Sequence, residues 1–470
     1  MNSSLQENQR FNDFLERVQH HLGNCVRTGT VEAYNCTASL RDVRSAALFN
    51  GVMHSKAPIQ SNNPFDLTVA LILRGRRSVE FSLENMSLSA FVQNLEFAIS
   101  QAAELEHCTS LRKQDSYPQI RLASAEMLEL FSSGEVAEKL IDVLSMTDQF
   151  AAVVSHPRLM NREIAASFSL SRKVYFDSTG NSAGEESATC SVYCAFALED
   201  SSESHSDIFG VLPSADDLKN IVDDAAKNLL RSQVRPLSGD EHLPVYLTHK
   251  AVLELIDQLV LPNLETRALI DKTGAWELDR VGEVVIRGLT IEDNPHVECS
   301  PFSSVFDSEG TATRPVKIMS EGRLVHPLMT SSLLAEVENL RPDWAGRFKL
   351  TGHAVSPMDT AYTNVHFHLH CPPLTDLSQL SYIQIQNLTG MSLDPLTGQF
   401  ALDADGAKVF ESGKLKYSTS LTLRGNFFEA LVHQSTQVGT QQRLYNQWAP
   451  SLFTSALSCV SKELAQTFEE

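Results

Sequence analysis

Two groups of residues in this chain have types and spacings that could do chemistry. The first is Phe306-Asp307-Ser308-Glu309-Gly310, where two carboxylates stand two apart in a run that ends in glycine. Paired acids can divide acid and base duties when their surroundings separate their proton affinities. The plainer reading is a turn: Asp293-Asn294-Pro295 ends an apolar run, because the residue before proline is pushed out of the α region. The stretch from Leu289 to Gly310 then reads as strand, long loop and a turn with its carboxylates outward. The second group is His366-Phe367-His368-Leu369-His370, with Cys371 following and His353 upstream. Side chains alternate along a strand, so the three imidazoles share one face. Such a row could hold zinc or another transition metal, or form an ordinary polar strand face. No Gly-x-Ser-x-Gly elbow, phosphate loop or Gly-x-Gly-x-x-Gly turn accompanies them.

The elements that must position these residues follow from periodicity. Phe11, Phe14, Leu15, Val18 and Leu22 give residues 8–22 the stripe of an amphipathic helix. Residues 31–40 and 42–59 read as separate strands, and 67–84 as a hairpin turning at Arg74-Gly75-Arg76. Helices are predicted over 88–106, 123–132 and 134–148. From Leu159 the chain alternates into a long antiparallel pair that turns at Ser178-Thr179-Gly180. The run 201–207, SSESHSD, reads as a mobile polar tip, and a helix over 214–230 carries Asp216 and Asp217 in its first turn. The segment 235–244, RPLSGDEHLP, combines proline, glycine and charge as a boundary would. Residues 245–261 read as a strand entering a helix, and the rest as strands and glycine turns with a closing helix near 426–432. The expected fold class is α+β, with an N-terminal mixed α/β domain at 1–238 and a C-terminal domain at 239–470 rich in antiparallel strands.

Bulk properties narrow the function classes. At 470 residues two or three domains are expected, and 42% hydrophobic with 20% charged residues is a globular composition. A net charge of -20 argues against non-specific nucleic-acid or anionic-membrane binding. No apolar run reaches spanning length, and the polar, amphipathic N-terminus lacks the apolar centre of a signal peptide. Eight scattered cysteines without a C-x-x-C read as isolated thiols in a reducing compartment. The expectation is a cytoplasmic protein.

The C-terminal half resembles the TldD/PmbA family of metallopeptidase-like proteins. GLTIEDNPHVECSPFSSVFDSEGTATRPVKIMSEGRLVHPLM is similar to that family's run of Asp-x-Pro, loop, Phe-Asp-Asp-Glu-Gly and a strand ending I-x-x-G-x-L. Thr351-Gly352-His353-Ala354 resembles its Thr-Gly-Asn-Ala. Residues 396–431 resemble its glycine-rich hairpin, and Pro450-Ser451-Leu452 its closing strand. Upstream, Asp177-Ser178-Thr179-Gly180 is similar to its Asn-Ser-x-Gly hairpin. The motifs cover most of 160–460 in the family's order.

The resemblance implies a place to look for metal. Active TldD subunits resemble other metallopeptidases in holding zinc with a helical His-Glu-x-x-x-His and a distant cysteine after Gly-Thr. Here His249 matches the first ligand, Lys250 stands at the base, Glu254 at the second histidine, and Gln441 follows Gly439-Thr440. An ammonium is no base for metal-bound water and its charge opposes a dication. These departures resemble the PmbA (TldE) branch, the partner subunit without metal ligands. The implied role is a non-catalytic subunit with no cofactor of its own. It would pair with a zinc-bearing TldD-like chain, or with itself, around an extended peptide. Alternatives are a self-sufficient metal-dependent hydrolase using His366, His368 and His370, and a non-enzymatic scaffold.

Overall fold

Strict alternation in Leu159–Asp177 sends Ile164, Ala166, Phe168 and Leu170 into the core and leaves Ala165, Ser167, Ser169 and Ser171 on the other face. The strand pairs antiparallel with Ser182–Leu198, Ile164 opposite Cys194 and Phe168 opposite Cys190. Asp177 makes the turn between them, its carboxylate accepting the N–H of Thr179 at 2.8 Å and of Asn181 at 3.1 Å. The structure, a computed structural model, describes residues 3–53, 59–74, 77–104, 113–114, 116–155, 159–198, 202–226, 237, 242–374 and 376–461.

This hairpin lies in an antiparallel sheet ordered Ala103–Glu104, Arg77–Leu83, Phe65–Leu73, Ala33–Phe49, Leu159–Asp177, Ser182–Leu198, Ser202–Phe209. Helices cover one face in two groups. At one end, Phe11, Phe14, Val18 and Leu22 of Ser3–Arg27 and Phe91 and Leu95 of Leu88–Gln101 pack on Cys36, Ala38, Leu67 and Val69. At the other, Met127, Leu140, Leu144 and Ile221 pack on Ile164, Phe168, Cys190 and Val192. Each large apolar side chain so buried contributes about 1.5–3 kcal/mol.

Two sequence expectations need correction here. The strands expected at 31–40 and 42–59 form one continuous strand as far as residue 49, Ala33–Phe49, because its ladder with Leu159–Asp177 runs unbroken from Asn35–Asp177 to Phe49–Glu163. Of the run read as a mobile tip, 201–207, residues 202–207 fall in the strand Ser202–Phe209, paired with Ser182–Leu198 from Cys190–Phe209 to Ala197–Ser202. Serine hydroxyls give no apolar alternation, but the backbone still completes the ladder. The turn expected at Arg74-Gly75-Arg76 and most of 235–244 lie outside the described residues, as does Cys108; the other seven cysteines are free thiols.

The second sheet runs Arg323–Leu324, Val316–Ser320, Leu289–Asp293, Val365–Leu369, Gln447–Thr454, Val245–Leu247, Tyr382–Ile385, Gln399–Glu411, Lys414–Asn426, Ser458–Ser461, with Thr389–Asp394 and Gln437–Leu444 attached beside it. Its core takes Val252, Leu255, Ile256 and Leu259 from the helix His249–Leu259 and Leu333, Leu334 and Val337 from Ser331–Leu340. The latter helix lies where the sequence was read as strands and turns; the Thr330 side chain, accepting the Leu333 N–H at 3.1 Å, was its available start signal. The fold is α+β. No helix among the described residues is long and apolar enough to cross a membrane.

The long loop after Leu289–Asp293 joins the two sheets. Glu185, on the first sheet's hairpin, accepts the Ser304 hydroxyl at 2.9 Å and the Val305 N–H at 2.7 Å. Lys173 lies 4.6 Å from the Phe306 ring centroid, and the Tyr117 hydroxyl donates to the Gly310 carbonyl at 2.9 Å. The expectation that Asp307 and Glu309 point to solvent is overturned. Asp307 is 6% exposed and accepts the N–H groups of Glu309, Thr311 and Ala354 at 3.0, 2.9 and 3.0 Å. Burial raises its proton affinity, while those N–H bonds act in the opposite sense. Glu309 turns onto the start of Ser331–Leu340. Both acids are spent on holding the loop closed.

Candidate functional site

A polar cleft of about 380 Å³ opens on the face of the second sheet, against the edge strand of the first. Its floor follows from register: Tyr246 lies beside Gln384, and Gln384 beside Lys408, so three neighbouring strands present these side chains in one row. Ser451 and Gln442 extend the lining, and Gln386 and Asn387 continue it past Gln384. Ser204, His205 and Asp224 form the wall, with His205 Nε2 3.7 Å from an Asp224 carboxylate oxygen.

Thr248, His249 and Lys250 close one end. Val245–Leu247 ends as Thr248 takes an extended conformation (φ -65, ψ 163), and the helix starts with the Val252 N–H on the Thr248 carbonyl at 3.0 Å. Its apolar residues Ala251, Val252, Leu255, Ile256 and Leu259 are buried, which fixes the rotation that turns His249 and Lys250 into the cleft.

Glu254, one turn beyond Lys250, accepts the Leu388 N–H at 2.6 Å. Burial pushes its carboxyl up to about 7, against the opposing pull of that N–H and of Lys250. Gln441 is not in the cleft lining. The register shifts between Val438 and Gln441, and the Gln441 amide instead donates toward the carbonyls of Phe367 at 3.5 Å and Trp448 at 3.4 Å. Of the four positions singled out by sequence, His249 and Lys250 share the cleft, Glu254 sits beside it, and Gln441 faces elsewhere. Gln442, Lys408 and His205 were missed. Alternation in Glu203-Ser204-His205-Ser206-Asp207 was the available signal for the last.

The donor set fits a metal dication poorly. Lys250 brings a positive charge, Glu254 is committed to a backbone N–H, and Gln441 offers its amide to other carbonyls.

The histidine strand is Val365–Leu369, where His366 and His368 share the face opposite buried Val365, Phe367 and Leu369, while His370 lies just past its end. Their contacts differ. His366 stacks on Trp448 at 4.4 Å between ring centroids and on His368 at 6.2 Å, and burial first, His368 second, lowers its proton affinity. His370 Nε2 lies 2.8 Å from the Thr290 hydroxyl. Glu292, opposite His366, pairs with Lys317 at 2.8 Å. His353 is in the loop cluster, its Nδ1 2.9 Å from the Thr351 carbonyl and its Nε2 3.4 Å from Asp293. Among the described residues no three His, Cys, Asp or Glu side chains converge as a metal-binding group.

A family model for the PmbA/TldA metallopeptidase C-terminal domain matches residues 240–461. The metalloprotease PmbA of Escherichia coli O157:H7 is 26% identical over 315 residues, 64% of this chain and 65% of the relative. Residues 240–461 carry the C-terminal domain of the TldD/PmbA family. The match spans just under two thirds of that relative's length. The crystal structure of a proposed modulator of a DNA gyrase from Thermotoga maritima MSB8 superposes with a TM-score of 0.74 at 15% identity, covering 96% of this chain and 100% of that one. TldE from Thermococcus kodakarensis gives 0.72 at 17%, covering 94% and 100%. At these identities the two structures establish the shared TldD/PmbA fold. The cleft lies within the stretch matched by the family model except for its wall of Ser204, His205 and Asp224.

Proposed function

We propose that this chain is the metal-free subunit of a two-protein peptidase of the TldD/TldE type. A TldD-like partner supplies the zinc; this chain helps to enclose the site and holds an extended peptide in the polar cleft. The observation that carries the reading is Lys250. It stands where the resemblance puts the catalytic base, and it lines the cleft. Lysine there cannot take a proton from metal-bound water at neutral pH, and Glu254 and Gln441 are engaged elsewhere. Glutamines and asparagine along the floor offer donors and acceptors for a peptide backbone in either direction. The compartment proposed is the cytoplasm.

The test is co-expression with a TldD-like chain from the same genome, followed by light scattering and a peptide-cleavage assay. The reading expects a hetero-oligomer that binds zinc through the partner and cleaves unfolded peptide. Failure of the two chains to associate removes it.

A further inference from the structure

We propose that the cleft recognises a carboxylate on its peptide ligand, held by Lys250 with Lys408 beside it. This rests on the reading of the cleft as a peptide site and adds the chemical feature that selects the peptide. The chain carries a net charge of -20, so a cleft lined by two ammonium groups runs against its overall field. Among the described residues the one carboxylate in the lining, Asp224, lies 3.7 Å from His205 on the opposite wall. Lys250 forms no hydrogen bond or ion pair within 4 Å among the described residues. Glu254, four residues further along the same helix, is bonded to the Leu388 N–H and has its carboxyl raised to about 7. Among the described residues, then, nothing neutralises the Lys250 charge at close range. Lys408 enters from the floor, in register with Gln384 and Tyr246, so both ammonium groups border the same space. The amides of Gln384, Gln386 and Gln442 add neutral donors along the path a chain would take from that point. A carboxylate bound to an ammonium makes a charge-assisted hydrogen bond, stronger than a neutral one. It can come from a peptide's C-terminus or from an Asp or Glu side chain.

The experiment uses the full chain and short glycine- and serine-rich fluorescent peptides, read by anisotropy. One peptide has a free C-terminus, a second is its amide, a third is the amide with one internal Asp, and a fourth has Asn instead. At least one of the two anionic peptides is expected to bind about tenfold tighter than its neutral counterpart. Which of them does so identifies the carboxylate's source. The preference should weaken with salt and disappear in Lys250→Met, with Lys408→Met as the second variant should the first not fold. Equal binding of anionic and neutral peptides overturns the inference while leaving the peptide-binding reading in place. So does a preference that both variants keep. No binding by any peptide overturns both.

Discussion

Glu309 reaches across 22 residues to hold the first turn of a helix: its carboxylate accepts the Ser331 N–H at 2.8 Å and the Ser331 hydroxyl at 2.7 Å. Negative charge suits a helix N-terminus, yet burial dominates and pushes the Glu309 carboxyl up to about 7. Its folded value therefore lies above the ordinary 4.5, so the folded state binds the proton more tightly. The stability tied to this proton is fully present below 4.5 and is lost as pH rises to about 7. Glu309→Gln keeps an acceptor for the Ser331 N–H and removes the titration. The expected result is a flatter fall of melting temperature with pH across that window, with the variant gaining on the parent at about pH 8. An unchanged slope contradicts the assignment.

Gly310 carries the same clasp on its backbone. Its φ is +72, and a Cβ there would sit 2.0 Å from the Tyr175 ring, itself tilted 49° against Phe306. Gly310→Ala combines a left-handed backbone with a clash in the contact joining the two sheets, a loss of about 2–4 kcal/mol. Chemical denaturation of the variant measures it. A cost below about 0.5 kcal/mol would mean that the loop can move away freely.

For the histidine strand, packing rather than coordination is predicted. His366→Ala removes the stack on Trp448 and costs about 1 kcal/mol. Zinc measured by elemental analysis after purification should be the same for the parent and for His366→Ala with His368→Ala. A loss of stoichiometric zinc in the double variant would make this face a metal site.

Much of the fold was legible because period-two alternation is unambiguous in long strands. Ile164, Ala166, Phe168 and Leu170 place that strand's core face without any structure. Ser202–Phe209 was not legible, since a serine-rich edge strand contributes backbone pairing and little apolar signal. The site was half legible. His249 and Lys250 lie on one helix, where spacing decides facing. Lys408, Gln384 and His205 come together only through sheet register and through contact between two sheets, which local sequence does not encode. Asp307 and Glu309 misled for a related reason: a carboxylate saturated by N–H groups and one left to solvent look alike until the chain closes over them.

Lys250 at the cleft's end is the centre of the functional account, and the most direct test is cleavage by this chain alone. The protein is treated with chelator, returned to zinc, and given an unstructured peptide with no partner present. The account predicts no cleavage above the buffer rate, with activity appearing only when a TldD-like chain is added. Zinc-dependent cleavage by the purified chain, abolished again by chelator, would contradict it.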